Sequence, residues 1–153
     1  ESRAAADWSF LSRLRDRWRG KLIVKGVMCP QDAMRIRSLG ADAIWVSNHG
    51  GRQLDGAPAS ITALRRIRDT LGPTLPLCFD SGIRSGGDIV RALATGADFV
   101  MLGRPFLFAS AAGGYPAVSM MVDGLATEID TVMAQIGVGE IAAIGRDAIA
   151  ANE

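Results

Sequence analysis

A single histidine, His49, stands in a chain of 153 residues, and its neighbours make it a candidate base. Gly50 and Gly51 follow it, leaving room for a ligand against the backbone, and Arg52 comes three positions on. A side chain of the type that can act as a base near pH 7, beside a permanent cation, suits proton removal from an anionic substrate whose carboxylate the guanidinium fork grips. Lys25 closes an apolar run and reads either as a chain snorkelling at a rim or as a cation beside a group that turns anionic during reaction. Two further stretches pair glycine with arginine ahead of helical patterns: Asp80-Ser81-Gly82-Ile83-Arg84 before Ser85-Gly86-Gly87, and Gly103-Arg104-Pro105. Helix N-termini and guanidinium forks bind phosphate, so the pair, with a strand between them, points to one phosphate site.

These residues sit at the ends of four short apolar runs, Leu22 to Val27, Ala43 to Val46, Leu75 to Phe79 and Phe99 to Leu102. Each is too short for a buried helix and is bounded by Gly, Pro or Asn, which predicts buried parallel strands. Helical patterns lie between them: a short one over Asp32 to Leu39, a face of Ile61, Leu64, Ile67 and Leu71, and a third over Asp88 to Ala94. Gly40-Ala41-Asp42 and Gly96-Ala97-Asp98 repeat one unit, in which a glycine helix stop leads straight into a strand. Trp8, Leu11, Leu14 and Trp18 predict an amphipathic helix before the first strand. Val118, Val122, Leu125, Ile129, Val132 and Ile136 predict a long one after the last, packed on the exterior of the sheet.

Alternating strands and helices imply right-handed crossovers. Four such units are half of a (β/α)8 barrel, whose active site lies at the C-terminal ends of the strands, where Lys25, Ser47-Asn48-His49, Asp80-Ser81-Gly82 and Gly103-Arg104 fall. The predicted fold is therefore α/β, the C-terminal half of a TIM barrel with terminal helices. The whole of 1–153 forms one piece whose open strand edges await an N-terminal half. The start at Glu1 rather than Met fits a fragment.

With 48% hydrophobic residues the chain is no disordered segment, and seventeen basic against sixteen acidic side chains give no field to draw nucleic acid. Fifteen of the seventeen bases are Arg, which favours bidentate anion binding. No apolar run approaches the ~20 residues of a membrane span. Cys29 and Cys78 fit no metal spacing, and Cys78 reads as a small core residue.

The runs Lys25-Gly26-Val27, Ser47 through Asp55, Asp80 through Gly86 and Gly103-Arg104-Pro105 together resemble the FMN-dependent α-hydroxy acid dehydrogenase/oxidase family. The resemblance covers nearly the whole chain, and the Ser-Asn-His-Gly-Gly-Arg-Gln-Leu-Asp run is its most specific part. It implies oxidation of an L-2-hydroxy acid of the mandelate, lactate or glycolate class to the 2-oxo acid. His49 would be the catalytic base and, with Arg52, would bind the substrate. FMN would be held by Lys25, Ser47, Asp80, Ser81, Gly82, Ile83, Arg84, Gly103 and Arg104, and no metal is implied.

Ser81 stands where many members have Gly, and Gly51 where plant-type oxidases have Ala. The family's N-terminal tyrosines and the Asp that orients the catalytic His have no counterpart here, since Tyr115 lies beyond the last strand. The resemblance further implies a homo-oligomer (tetramer or octamer), a cytoplasmic site or one peripheral to the inner membrane, and an electron acceptor that is a quinone or cytochrome rather than O2. Rival expectations are an oxidase using O2, another FMN- or phosphate-binding barrel such as an isomerase, and a non-catalytic half-barrel that serves only as an assembly partner.

Overall fold

The computed structural model describes residues 6–148, so both ends of the expected 1–153 piece lie outside the described residues. Helix α1 (Trp8–Arg17) precedes β1 (Ile23–Val27), α2 (Pro30–Ser38), β2 (Ala43–Val46), α3 (Ser60–Leu71), β3 (Leu77–Phe79), α4 (Gly86–Thr95), β4 (Phe99–Val100) and α5 (Arg104–Gln135). The strands form one parallel sheet in the order β1-β2-β3-β4, each pair joined by a helix. This is the βα alternation the sequence predicts, with every strand C-terminus on the same edge.

The two faces of the sheet differ. Ile44, Val46, Leu77 and Phe79 point under the helices and are buried with Ala33 and Ile36 of α2 and Ala63, Leu64, Ile67 and Leu71 of α3. Burying each large side chain of this kind contributes about 1.5–3 kcal/mol, which makes this layer the main source of cohesion. The opposite face carries the row Lys25, Trp45, Cys78 and Phe99, aligned by register across all four strands. It is bare: Ile23 is 49% and Phe99 58% exposed. Cys78 thus lies half-buried on the open face and outside the helix-covered core where the sequence places it.

The Gly-Ala-Asp repeat is a structural clip. Asp42 accepts the Leu22 backbone N–H at 2.9 Å and pairs with Lys21 at 2.8 Å and Arg15 at 3.1 Å. Asp98 likewise accepts the Leu77 N–H at 2.7 Å and pairs with Arg68. Each aspartate ties its own strand to the start of the preceding one, at the end of the sheet remote from the candidate site.

Several elements depart from expectation. β3 begins at Leu77 because a 3-10 turn over Gly72–Thr74 and Pro76 delay it. β4 spans two residues by pairing, although Asp98 and Met101 extend its ladder through bonds to Leu77 and Phe79. Trp18 caps α1 and is not one of its helical residues, and α1 has no fully buried residue. α5 breaks at Gly113 and Gly114, with Pro116 just beyond, so the helix predicted from Val118 is its second segment. Taken as one run, Arg104–Gln135 reaches a mean hydropathy of 1.2 over eighteen residues, but the break leaves a short first segment and a second carrying Asp123, Glu128 and Asp130. That second segment packs on α4, not on the sheet: Glu128 accepts the Gly86 N–H at 2.6 Å, and Val132 lies beside Gly87. Its only fully buried residue is Met133, which borders the predicted stripe one turn from Ile129 and Ile136.

Candidate active site

The loop after β2 determines where the base sits. His49, Gly50 and Gly51 all take positive φ, at 55°, 67° and 78°, so the chain makes a left-handed turn immediately beyond the strand. Such a run is costly for residues with a Cβ, which is why glycines fill two of its three places. The turn is pinned from several sides. The His49 N–H donates to Ser47 Oγ at 3.1 Å, and the Gly50 N–H to Asn48 Oδ1 at 3.0 Å and to Ser81 Oγ at 3.2 Å. Asn48 Nδ2 donates to the Pro58 carbonyl at 3.2 Å, tying the turn to the approach to α3.

Gly26 makes room for the imidazole. It forms a bulge in β1, since the register to β2 shifts between Lys25 and Val27, and its φ is 90°. A Cβ there would stand 3.0 Å from His49 Cε1.

Lys25 and Asp80 form an ion pair beneath the turn, and the Lys25 ammonium also lies 3.6 Å from the centroid of the Trp45 ring. Burial pushes the Asp80 carboxyl up. Hydrogen bonds from Lys25, Ser47 and Ser81 and the Lys25 charge outweigh it, and its pKa is lowered overall. Asp80 is therefore a carboxylate at neutral pH, and Lys25 keeps its partner. Ser81, which donates to Asp80 Oδ1 at 2.7 Å, holds φ 84°, a second left-handed residue without glycine's freedom. Ser60, buried at the start of α3, donates to the Ser81 carbonyl at 3.2 Å.

At the far end, Gly103 caps α5 without a side chain, so no side-chain acceptor covers the first helical N–H groups. Arg84 and Arg104, both exposed, line a recess there of about 350 Å³ with Pro105 and Phe108. A Cβ at Gly82 or Gly103 would meet nothing within 4 Å. Arg104 also reaches back to the His49 turn, where a Cβ on Gly50 would stand 3.1 Å from its terminal nitrogen. Two exposed guanidiniums at an uncapped helix N-terminus are a phosphate cradle by chemistry and by shape.

One cavity of about 300 Å³ joins these parts, and its wall includes Lys25, His49, Arg52, Asp80, Arg84 and Arg104. Ser81, Gly82, Ile83 and Gly103 line it too. Ser47, the remaining candidate, is not on that wall. It is 1% exposed, and its hydroxyl serves His49 and Asp80 from below. Sequence reasoning gave no individual role to Gly26 or Asn48 and did not single out Trp45. A glycine inside an apolar strand is the signal that could have flagged Gly26 as a bulge beside a functional group. Trp45 carried none, because only the register between strands sets it beside Lys25.

The family model described as "FMN-dependent dehydrogenase" matches residues 1–151. The L-lactate dehydrogenase of Caulobacter sp. (strain K31) is 47% identical over 146 residues, covering 95% of this chain and 38% of that protein. That of Bartonella quintana (strain Toulouse) is 44% identical, with the same coverage. The crystal structure of the monotopic membrane protein (S)-mandelate dehydrogenase superposes with a TM-score of 0.92 at 43% identity, over 98% of this chain and 39% of that one. A mandelate oxidase structure superposes with a TM-score of 0.87 at 38% identity, over 92% of this chain and 43% of that one. The chain thus spans about two-fifths of the length of the proteins it matches. The likeness makes the four βα units part of a (β/α)8 barrel.

Proposed function

The chain belongs to the FMN-dependent dehydrogenase family, and from that premise we propose that it carries the flavin-phosphate and substrate-anion sites of an enzyme oxidising an L-2-hydroxy acid of the lactate or mandelate class to the 2-oxo acid. The observation that carries this reading is the convergence of a base, two anion-binding ends and the Lys25–Asp80 ion pair on one cavity. The residues fit the cofactor: Arg84, Arg104 and the uncapped start of α5 suit its phosphate, Asp80 and the open backbone at Gly82 its polyol, and Lys25 the edge of its ring that gains negative charge. When bound, FMN supplies a two-electron acceptor.

The chain's own groups do the rest. Arg52 holds the substrate carboxylate through its fork. His49, fixed by the left-handed turn, would take one of the two protons that the acid loses, the other proton and the electron pair passing to the bound flavin. Lys25 presents a positive charge that favours the reduced ring. The bare inner face, with Ile23 and Phe99, is the surface on which the N-terminal half of the same barrel closes. An oligomer of such barrels, cytoplasmic or peripheral to a membrane, passes the electrons to a quinone or cytochrome. The identities to dehydrogenases, 43–47%, against 38% to mandelate oxidase favour such an acceptor over O2.

The test uses the barrel completed by its N-terminal units. It should bind one FMN and bleach anaerobically with L-lactate or (S)-mandelate. His49→Gln should keep the flavin and lose on the order of 10² or more in the rate of reduction. Parental reduction by that variant would place the base elsewhere. Reoxidation by air within one turnover would make the enzyme an oxidase.

A further inference from the structure

Trp45 is the partner of Lys25 in strand register, so both side chains rise from the open face of the sheet, in adjacent strands. The Lys25 ammonium meets the Trp45 ring at 3.6 Å and the Asp80 carboxylate at a different point. A lysine on four rotatable methylenes, held by one carboxylate alone, would sweep a cone of positions; a second contact reduces that freedom. The two contacts differ electrically. Asp80 offsets part of the ammonium's charge, whereas the neutral indole attracts it through its quadrupole and takes none of that charge from a ligand.

The indole N–H bears on why tryptophan stands there. Nε1 is buried and is the one such side-chain atom without a hydrogen-bond partner among the described residues. A buried donor left unpaired is unfavourable, and phenylalanine or leucine would avoid that cost. What the indole offers over either is the strongest π-face for a cation, the property its placement over Lys25 uses.

We propose that Trp45 is a positioning residue for Lys25: its ring holds the ammonium at the cavity wall without neutralising it, and thereby helps to set the reduction potential of the bound flavin. The inference rests on the FMN reading above and adds a residue that touches neither flavin nor substrate in its argument.

The test compares parent, Trp45→Phe and Trp45→Leu in the complete FMN-loaded protein, with the potential measured against a reference dye. Trp45→Leu should disfavour the reduced flavin about tenfold, a shift of about 30 mV for a two-electron couple, and Trp45→Phe by less. FMN content should be unchanged in both. In a Lys25→Met background the Trp45→Leu change should leave the potential where Lys25→Met alone puts it. Equal potentials in all three proteins, or an undiminished shift in the Lys25→Met background, would overturn the proposal. Since Trp45→Phe keeps the ring and most of its volume, it answers the question even where Trp45→Leu does not fold. If the parent bound no FMN, the functional reading would fail, and this inference with it; flavin content separates that outcome from a failure of the Trp45 contact alone.

Discussion

Ser81 offers a test in which backbone strain and hydrogen bonding pull in opposite directions. At φ 84° its Cβ costs about 1–2 kcal/mol relative to glycine. Against that, its hydroxyl donates to Asp80 at 2.7 Å and accepts the Gly50 N–H at 3.2 Å. A bond to a carboxylate contributes roughly 1.5 kcal/mol at the low end suited to a solvent-accessible site, and the neutral one about 0.5 kcal/mol, for a total of about 2 kcal/mol. Ser81→Ala loses both bonds and keeps the strain, so it should destabilise by about 2 kcal/mol. Ser81→Gly loses the same bonds but sheds the strain, for a net loss of about 0–1 kcal/mol. Ser60 still donates to the residue 81 carbonyl in both variants, because that contact is to the main chain.

Thermal melts of the complete protein measure the difference; its length puts it below the about 2–4 °C of Tm per kcal/mol of a 150–250-residue domain. Glycine should be the more stable variant, with a Tm higher by a few degrees at most. Anaerobic flavin reduction should fall in both, since each frees the Gly50 N–H from the loop that carries Asp80 and loosens the turn that bears His49. An alanine variant as stable as the glycine variant would refute the strain, and alanine as active as the parent would refute the coupling between the loops.

Gly26→Ala should be destabilising by about 1–2 kcal/mol at its φ of 90°, and should lower flavin reduction by displacing the imidazole 3.0 Å away; unchanged kinetics would show that the bulge does not position His49. Removing both Arg84 and Arg104 as alanines should weaken FMN binding by roughly 1.5–3 kcal/mol for each charged hydrogen bond lost, read by flavin released on dialysis; full retention would move the phosphate elsewhere. Hydrogen bonding from Lys21, then from the Leu22 backbone, pulls the Asp42 carboxyl from the usual 3.8 down to about 2. Its folded value lies below its unfolded one, so its contribution is present above about pH 4 and is lost as the pH falls towards 2. Denaturation between pH 5 and 2.5 should show that loss in the parent and a flatter profile in Asp42→Asn; parallel profiles would mean the clip carries no stability.

The residue types and their local spacing were enough to order the four βα units and to assemble the candidate chemistry at one edge. Alternation of short apolar runs with helical faces is a local property, and polar residues interrupting it at strand ends, such as Lys25, His49 and Asp80, stand out by the interruption itself. The glycine-arginine pairs before helices were legible for the same reason. Contacts made across strands were not. Nothing near position 45 indicates that its ring faces Lys25, because the register between β1 and β2 decides that. Gly26 reads as a weak spot in a strand until the bulge sets it against an imidazole more than twenty residues away. The family resemblance gives Ser47 to the flavin, yet the turn that follows folds back over it and buries its hydroxyl under His49 and Asp80. Cys78 reads as core because it lies in an apolar run, but a parallel strand has two faces, and which one the helices cover is decided only when the sheet assembles. Local pattern thus determines which groups reach the site, while pairing between distant strands determines which of them touch.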